Sequence, residues 1–298
     1  MTLAGLALIG VPTNSSGTVD GVARSPAVLR QRGLATALAR RPGFTDAGDL
    51  VLPVPVPARG PSGLLAEDAL VAMIEQVAEA VGAARGRGSF PLLLGGDCPV
   101  ILGALVALQA ERDRPGLLFV DGHEDAWPPR GSPTGEAADC ELGLALRLFD
   151  TGLSSQLRAV LPRIDPGDVA AVGPRDAGEL AAAGVASLDG QLGALIRPSE
   201  LAADTYAAAL AGLPPPWWLH TDLDVLAAGE LAAVDYPQPG GLTWGQLADL
   251  TAMALAAHGC AGWSVCIYNP DLDSDGHGAD AIISYIEHAI AASDQLAR

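Results

Sequence analysis

Three short segments of this 298-residue chain gather side chains that can bind a cation or move a proton. The first is Asp121-Gly122-His123-Glu124-Asp125, directly after an apolar run. Spacing of two along extended backbone puts Asp121, His123 and Asp125 on one face. Two carboxylates and an imidazole on one face form a metal-ligand set. The second is Asp222-Leu223-Asp224, again spaced by two after an apolar run. Alone it carries little; joined to the first, it gives four carboxylates and one imidazole, enough for two divalent cations with shared carboxylates. Without cations, four converging carboxylates would raise one another's pKa values. A solvated acidic loop accounts for single aspartates, but not for this alternation after buried strands. The third is Gly95-Gly96-Asp97-Cys98, where glycine lets backbone approach a ligand. Cys98 would sit at a helix N-terminus, where the dipole favours a thiolate. It reads as a further metal ligand, a nucleophile, or a buried structural thiol.

The elements that must hold these segments alternate along the chain. Apolar runs at 3–11, 90–94, 116–120, 168–172, 217–219 and 262–268 predict strands, and 50–56, interrupted by prolines, at most an edge strand. Helical periodicity covers 22–38, 64–84, 99–109, 136–148, 244–257 and 282–292. Strands separated by helices of this length pair in parallel with helices on both faces. The expected fold is a single three-layer α/β/α domain over residues 1–298 with a mostly parallel central sheet. Each candidate segment then falls at the carboxyl end of a strand, where open parallel sheets bind ligands.

Composition narrows the chemistry further. The chain carries 17 basic and 35 acidic residues, a net charge of −18, and all 17 basic residues are arginine. Lacking lysine, it has neither a Schiff-base amine nor the lysine of a P-loop. Its acidity opposes nucleic acid and anionic membrane surfaces and favours cationic or metal-bound partners. Four irregularly spaced cysteines do not read as a disulfide framework. The apolar N-terminus has no basic region before it, and no run reaches the roughly 18 apolar residues of a membrane span. The expected compartment is the cytoplasm. Asp271-Leu272-Asp273-Ser274-Asp275-Gly276 resembles the start of a calcium loop, but its twelfth position falls on Ile282, so it is read as a polar loop. His220, His258, His277 and His288 lack ligand-like spacing and are expected in the core or on the surface; His220 and His277 could approach the site.

The three segments, in this order, resemble the GGDH, DAHxD and DxD turns of the ureohydrolase family of arginases, agmatinases and formimidoylglutamases. Supporting matches include Gly10-Val11-Pro12, Asp46 with Gly48-Asp49, Gly173 with Arg175-Asp176, Gly240-Gly241-Leu242-Thr243 and Asn269-Pro270. The resemblance implies an arginase-like fold and two Mn²⁺ ions. Asp121 and Asp222 would bridge both, Cys98 and Asp125 would complete one shell, and His123 and Asp224 the other. It also implies that a hydroxide between the ions attacks the trigonal carbon, oriented by Asp125, and that the chain forms a homo-oligomer, a trimer or hexamer.

Two departures stand out. Cys98 replaces the family's histidine, moving metal preference toward Fe²⁺, Co²⁺ or Zn²⁺. The carboxylate two residues before the family's Asn-Pro is also missing, and Thr134-Gly135-Glu136-Ala137-Ala138-Asp139 stands where a further histidine is found. Thr134, Glu136 and Asp139 are the candidate substrate-binding residues. Glu136 reads rather as a helix N-terminal cap, whereas both roles stay open for Asp139. The expected activity is dinuclear metal-dependent hydrolysis of a linear C–N bond in a small cationic or amidine-containing substrate, a guanidino, hydroxyguanidino or formimidoyl compound. The alternatives are a catalytically impaired or regulatory relative, and a cysteine hydrolase using Cys98 with His123.

Overall fold

The computed structural model describes residues 5–297. Among them, eight strands form one parallel sheet: β1 Leu6–Val11, β2 Thr45–Asp49, β3 Phe90–Gly95, β4 Gly116–Val120, β5 Val169–Val172, β6 Ala194–Ile196, β7 Trp217–Asp222 and β8 Cys260–Cys266. Their order is β2-β1-β3-β8-β7-β4-β5-β6, with helices on both sides. The α-helices are α1 Ser25–Gln31, α2 Leu34–Leu38, α3 Glu67–Gly86, α4 Val100–Glu111, α5 Glu141–Ala145, α6 Ser155–Val160, α7 Ala177–Ala183, α8 Ala203–Gly212, α9 Trp244–Ala256 and α10 His277–Leu296. No described helix is long and apolar enough to cross a membrane.

Sheet order explains why the candidate segments meet. The chain leaves β3 for β4, skipping two positions that β8 and β7 later fill. The carboxyl ends of β3, β8, β7 and β4 therefore lie side by side, and ligands bind at such a crossover. Every residue of β1, β4, β5 and β7 is buried, as strands covered on both faces require. Trp217, Trp218 and Trp263 anchor the centre of this core, each fully buried.

Several boundaries differ from the sequence pattern for definable reasons. The edge strand lies at Thr45–Asp49 and not at 50–56, pairing Ala7 with Thr45 and Leu8 with Asp46. Prolines 53, 55 and 57 offer no N–H to a ladder, and Val51 and Val54 stay exposed. The 22–38 helix is broken by Gly33, whose φ of 108° no helix accommodates. Likewise the 136–148 helix reduces to a 3₁₀ turn at Ala137–Asp139 and the short α5. The apolar run from residue 3 begins partly outside the described residues.

Helix α9 carries a capping box: Thr243 Oγ1 accepts the Gln246 N–H at 3.2 Å, and Gln246 Oε1 accepts the Thr243 N–H at 2.9 Å. Thr243→Ala should cost about 1 kcal/mol. Calorimetry should then show a melting point lower by roughly 2–4 °C, with metal binding unchanged.

Candidate metal centre

The two aspartate turns are locked together by their own backbone. Asp224 Oδ1 accepts the Gly122 N–H at 3.0 Å, and Asp222 Oδ1 accepts the Asp224 N–H at 2.6 Å. Asp121 Oδ1 accepts the His123 N–H at 2.8 Å. The Arg175 guanidinium, from the segment after β5, donates to the backbone carbonyls of Asp224 at 2.6 Å and Leu226 at 3.2 Å. Residue 122 must be glycine here: a Cβ would come within 2.6 Å of Arg175 Nη1 and 2.8 Å of Asp224 Oδ1.

His123 Nδ1 lies 3.0 Å from Asp224 Oδ2 and 3.8 Å from Asp121 Oδ1. One ligand atom from each of Asp121, His123 and Asp224 falls within 4.8 Å of the others. Burial opposes charge on His123, but the Asp224 and Asp121 carboxylates overcome it and push its pKa up to about 9. Asp121, Asp125 and Asp222 are all held above the usual carboxylate range, first by burial and then by repulsion from one another and from Asp224. Asp121 Oδ2 has no hydrogen-bond partner among the described residues. A buried, crowded carboxylate set with an orphaned oxygen suits a divalent cation.

Cys98 joins this cluster through Asp222, donating its thiol to Oδ2 at 2.7 Å. The structure corrects two expectations about it. Helix α4 starts at Val100 with Pro99 as its cap, so Cys98 lies outside the first turn, and burial pushes its thiol well up. Nor does Cys98 share the cavity with His123: it is 1% exposed and lines no part of that wall, whereas His123 does. A nucleophile needs a base and access to substrate; Cys98 is paired with a carboxylate inside the core.

A cavity of about 290 Å³ opens beside these turns. Among the described residues nine carboxyl side chains line it, including Asp125, Asp222, Asp224 and Glu136, and no arginine does. Thr134 and Asp139 are on its wall, but they are engaged with each other: Asp139 Oδ2 accepts the Thr134 hydroxyl at 2.6 Å and also the Ser132 hydroxyl. Glu136 differs from the capping expectation. It occupies the cap position of the 3₁₀ turn without a side-chain cap bond. Burial, then repulsion from Asp97 and Asp139, pushes its pKa up to about 7. Ile267, two residues before Asn269-Pro270, puts an apolar side chain on the cavity wall.

Other acidic groups here receive no role from sequence spacing. Asp97 secures the glycine turn by accepting the N–H groups of Ser15 and Cys98, and Asp176 and Asp235 line the cavity. Glu124 points away, accepting from Ser187 Oγ and the Leu188 N–H. His220 is in the core as expected, whereas His277 is exposed beside Asp275. Asp271 and Asp273 of the polar loop accept backbone N–H groups of Gly21 and Gly278, so these carboxylates tie the loop down.

Comparison with known proteins places the chain in a family. The chain is 31% identical to an arginase of Bacillus caldovelox over 179 residues, covering 58% of this chain and 59% of that protein. It is also 31% identical to N(omega)-hydroxy-L-arginine amidinohydrolase of Streptomyces lavendulae over 183 residues, 61% of this chain and 60% of the relative. The chain thus matches about three-fifths of the length of these relatives. The solved structure of Bacillus caldovelox arginase superposes with a TM-score of 0.82 at 26% identity, covering 96% of this chain and 98% of that one. Formimidoylglutamase of Bacillus subtilis shares the fold, with a TM-score of 0.71 at 17% identity, covering 99% and 88% of the two chains. A model of the Arginase family matches residues 4–291, nearly the whole sequence, and the chain belongs to that family.

Proposed function

We propose that this chain is a dinuclear metal-dependent hydrolase of a linear C–N bond in a small cationic amidine, a guanidino, hydroxyguanidino or formimidoyl compound. The observation that carries this reading is the convergence of Asp121, His123 and Asp224 within 4.8 Å beside a cavity walled by nine carboxyl groups. Two divalent ions would be held by Cys98, Asp121, His123, Asp125, Asp222 and Asp224. When bound, such ions acidify water and offset charge developing at a trigonal carbon. Mn²⁺ is the ion of the resembling family, and the Cys98 thiolate favours Fe²⁺, Co²⁺ or Zn²⁺.

The chain's own residues supply the remainder. Asp125 accepts a hydrogen bond from the attacking water and orients it toward the amidine carbon. Glu136 pairs as its carboxylate with the substrate cation, then takes up the proton that the attacking water loses and passes it to the leaving nitrogen. Asp139 holds the loop that presents Glu136, with the Ser132 and Thr134 hydroxyls on its Oδ2. Ile267 offers no charge to a guanidinium, so substrate preference differs from relatives with a carboxylate at that position. Among the described residues no arginine is on the wall, so no guanidinium there pairs with an anionic group on the substrate.

The test is metal content by mass spectrometry on protein purified without added metal, followed by a screen of guanidino and formimidoyl compounds after metal loading. Two ions per chain, and urea or ammonia release lost on chelation and restored by metal, are expected. Turnover that survives exhaustive chelation overturns the proposal. Two bound ions without turnover of any compound would favour the non-catalytic relative that Ile267 suggests.

A further inference from the structure

Behind the cavity wall lies a second group of potential ligands, none of which lines the cavity. It comprises Cys98 after β3, Asp121 after β4, Glu141 at the start of α5, and His220 within β7. One donor atom from each of the four lies within 4.8 Å of the other three, and all four residues are at most 1% exposed. Asp121 Oδ2, both Glu141 carboxyl oxygens and His220 Nε2 have no hydrogen-bond partner among the described residues. Buried polar atoms are nearly always paired. Here four such atoms from three residues are unpaired in one place.

The surroundings of His220 orient it as a ligand. Its ring stacks on Phe119 with centroids 5.3 Å apart, and Nδ1 lies 2.8 Å from Ser264 Oγ. Ser264 Oγ also accepts the Trp218 indole N–H at 3.0 Å. With Nδ1–H donating to that same oxygen, the lone pair sits on Nε2, the ring nitrogen left without a partner. An outer hydrogen bond that fixes one ring nitrogen while the other binds metal is the usual arrangement of a ligating histidine. Cys266 stands in reserve: its sulfur is within 4.8 Å of Cys98 and His220 ligand atoms.

We infer that Cys98, Asp121, Glu141 and His220 form a buried site for one borderline-soft divalent cation of the Zn²⁺ type. One thiolate, one imidazole and two carboxylates suit tetrahedral Zn²⁺ or Co²⁺, whereas Mn²⁺ prefers a shell of oxygens. The inference deepens the proposed two-ion reading and rests on its assignment of Cys98 and Asp121 as ligands. It moves the ion on the Cys98 side deeper into the core, exchanging Asp125 and Asp222 for Glu141 and His220. Replacement of the family's histidine by Cys98 then belongs to a rebuilt ligand set.

X-ray absorption on the intact wild-type protein loaded with one equivalent of Zn²⁺ tests this. A shell holding one sulfur and one imidazole together is expected, with a sulfur-to-metal charge-transfer band when Co²⁺ is used. In His220→Gln the imidazole should leave that shell, and Zn²⁺ affinity should fall at least roughly tenfold. Circular dichroism checks that this variant is folded. If it is not, His123→Ala serves instead, and its shell should keep the imidazole. A wild-type shell without sulfur overturns the inference, as does a folded His220→Gln with the same shell, or a His123→Ala that loses the imidazole. The two proposals fail separately: sulfur and imidazole on an ion in a protein without turnover sinks the hydrolase reading alone. Metal-dependent turnover with sulfur and oxygens but no imidazole on the same ion sinks only this site.

Discussion

Asp121→Asn is expected to abolish stabilisation by divalent cations and to reduce turnover by roughly 10³-fold or more, while raising the melting point of the metal-free protein. The opposite signs follow from one cause. Asp121 is fully buried, and burial followed by repulsion from Asp224 holds its carboxyl well above the usual range. Its folded pKa exceeds its unfolded one, so the folded state favours the protonated form. The metal-free wild type therefore loses stability as pH rises above the ordinary carboxylate value and toward the raised one. Asparagine keeps a carbonyl oxygen for the His123 N–H at 2.8 Å and removes the charge. It also removes an anionic ligand of the proposed ions. A cation at a hundred times its dissociation constant stabilises the wild type by about 2.7 kcal/mol, and the variant should lack that increment. Calorimetry at pH 5 and pH 8, with and without metal, reads both effects. Equal cation stabilisation of the two proteins would show that Asp121 is no ligand.

The parts of this site legible in the sequence are those set by strand ends. Parallel strands are buried on both faces, so β3, β4, β7 and β8 appear as short apolar runs, and the residues that follow fall at one edge of the sheet. That reasoning places Asp121, His123, Asp222 and Asp224; the structure brings ligand atoms of Asp121, His123 and Asp224 together, and Asp222 accepts the Asp224 N–H. Glu141 and His220 carry no such signal. His220 reaches Phe119 through the pairing of β7 with β4, a contact between residues 101 positions apart (220 − 119). Glu141 falls inside the helical pattern read over 136–148, which marks an element but not an inward-facing acid; the helix itself has only five residues. Elements α6, α7, β6 and α8 went unread for related reasons: β6 has three residues, and α7 and α8 are alanine-rich with little apolar contrast. Cys98 was recognisable by type, but its thiol donates to Asp222, a residue 124 positions away.

Glu136→Gln should lower kcat/KM by roughly 10²-fold and remove the acid limb of its pH profile. The Glu136 carboxyl lines the cavity without a cap bond, and burial with repulsion from Asp97 and Asp139 raises it from 4.5 to about 7. Below that pH it is protonated in the free enzyme and cannot pair with a cation, so wild-type kcat/KM should fall about tenfold per unit as pH drops below 7. A bound amidinium favours the carboxylate and lowers this pKa, placing the limb of kcat at lower pH than that of kcat/KM. Stability gives an independent sign. Because the folded pKa is the higher one, ligand-free protein should lose stability as pH rises from about 4.5 to 7, a loss that glutamine removes. A residue that merely shaped the loop would change kcat/KM uniformly with pH. An acid limb retained in Glu136→Gln would transfer the proton and cation roles to another carboxyl on the wall, with Asp235 and Asp176 the next to substitute.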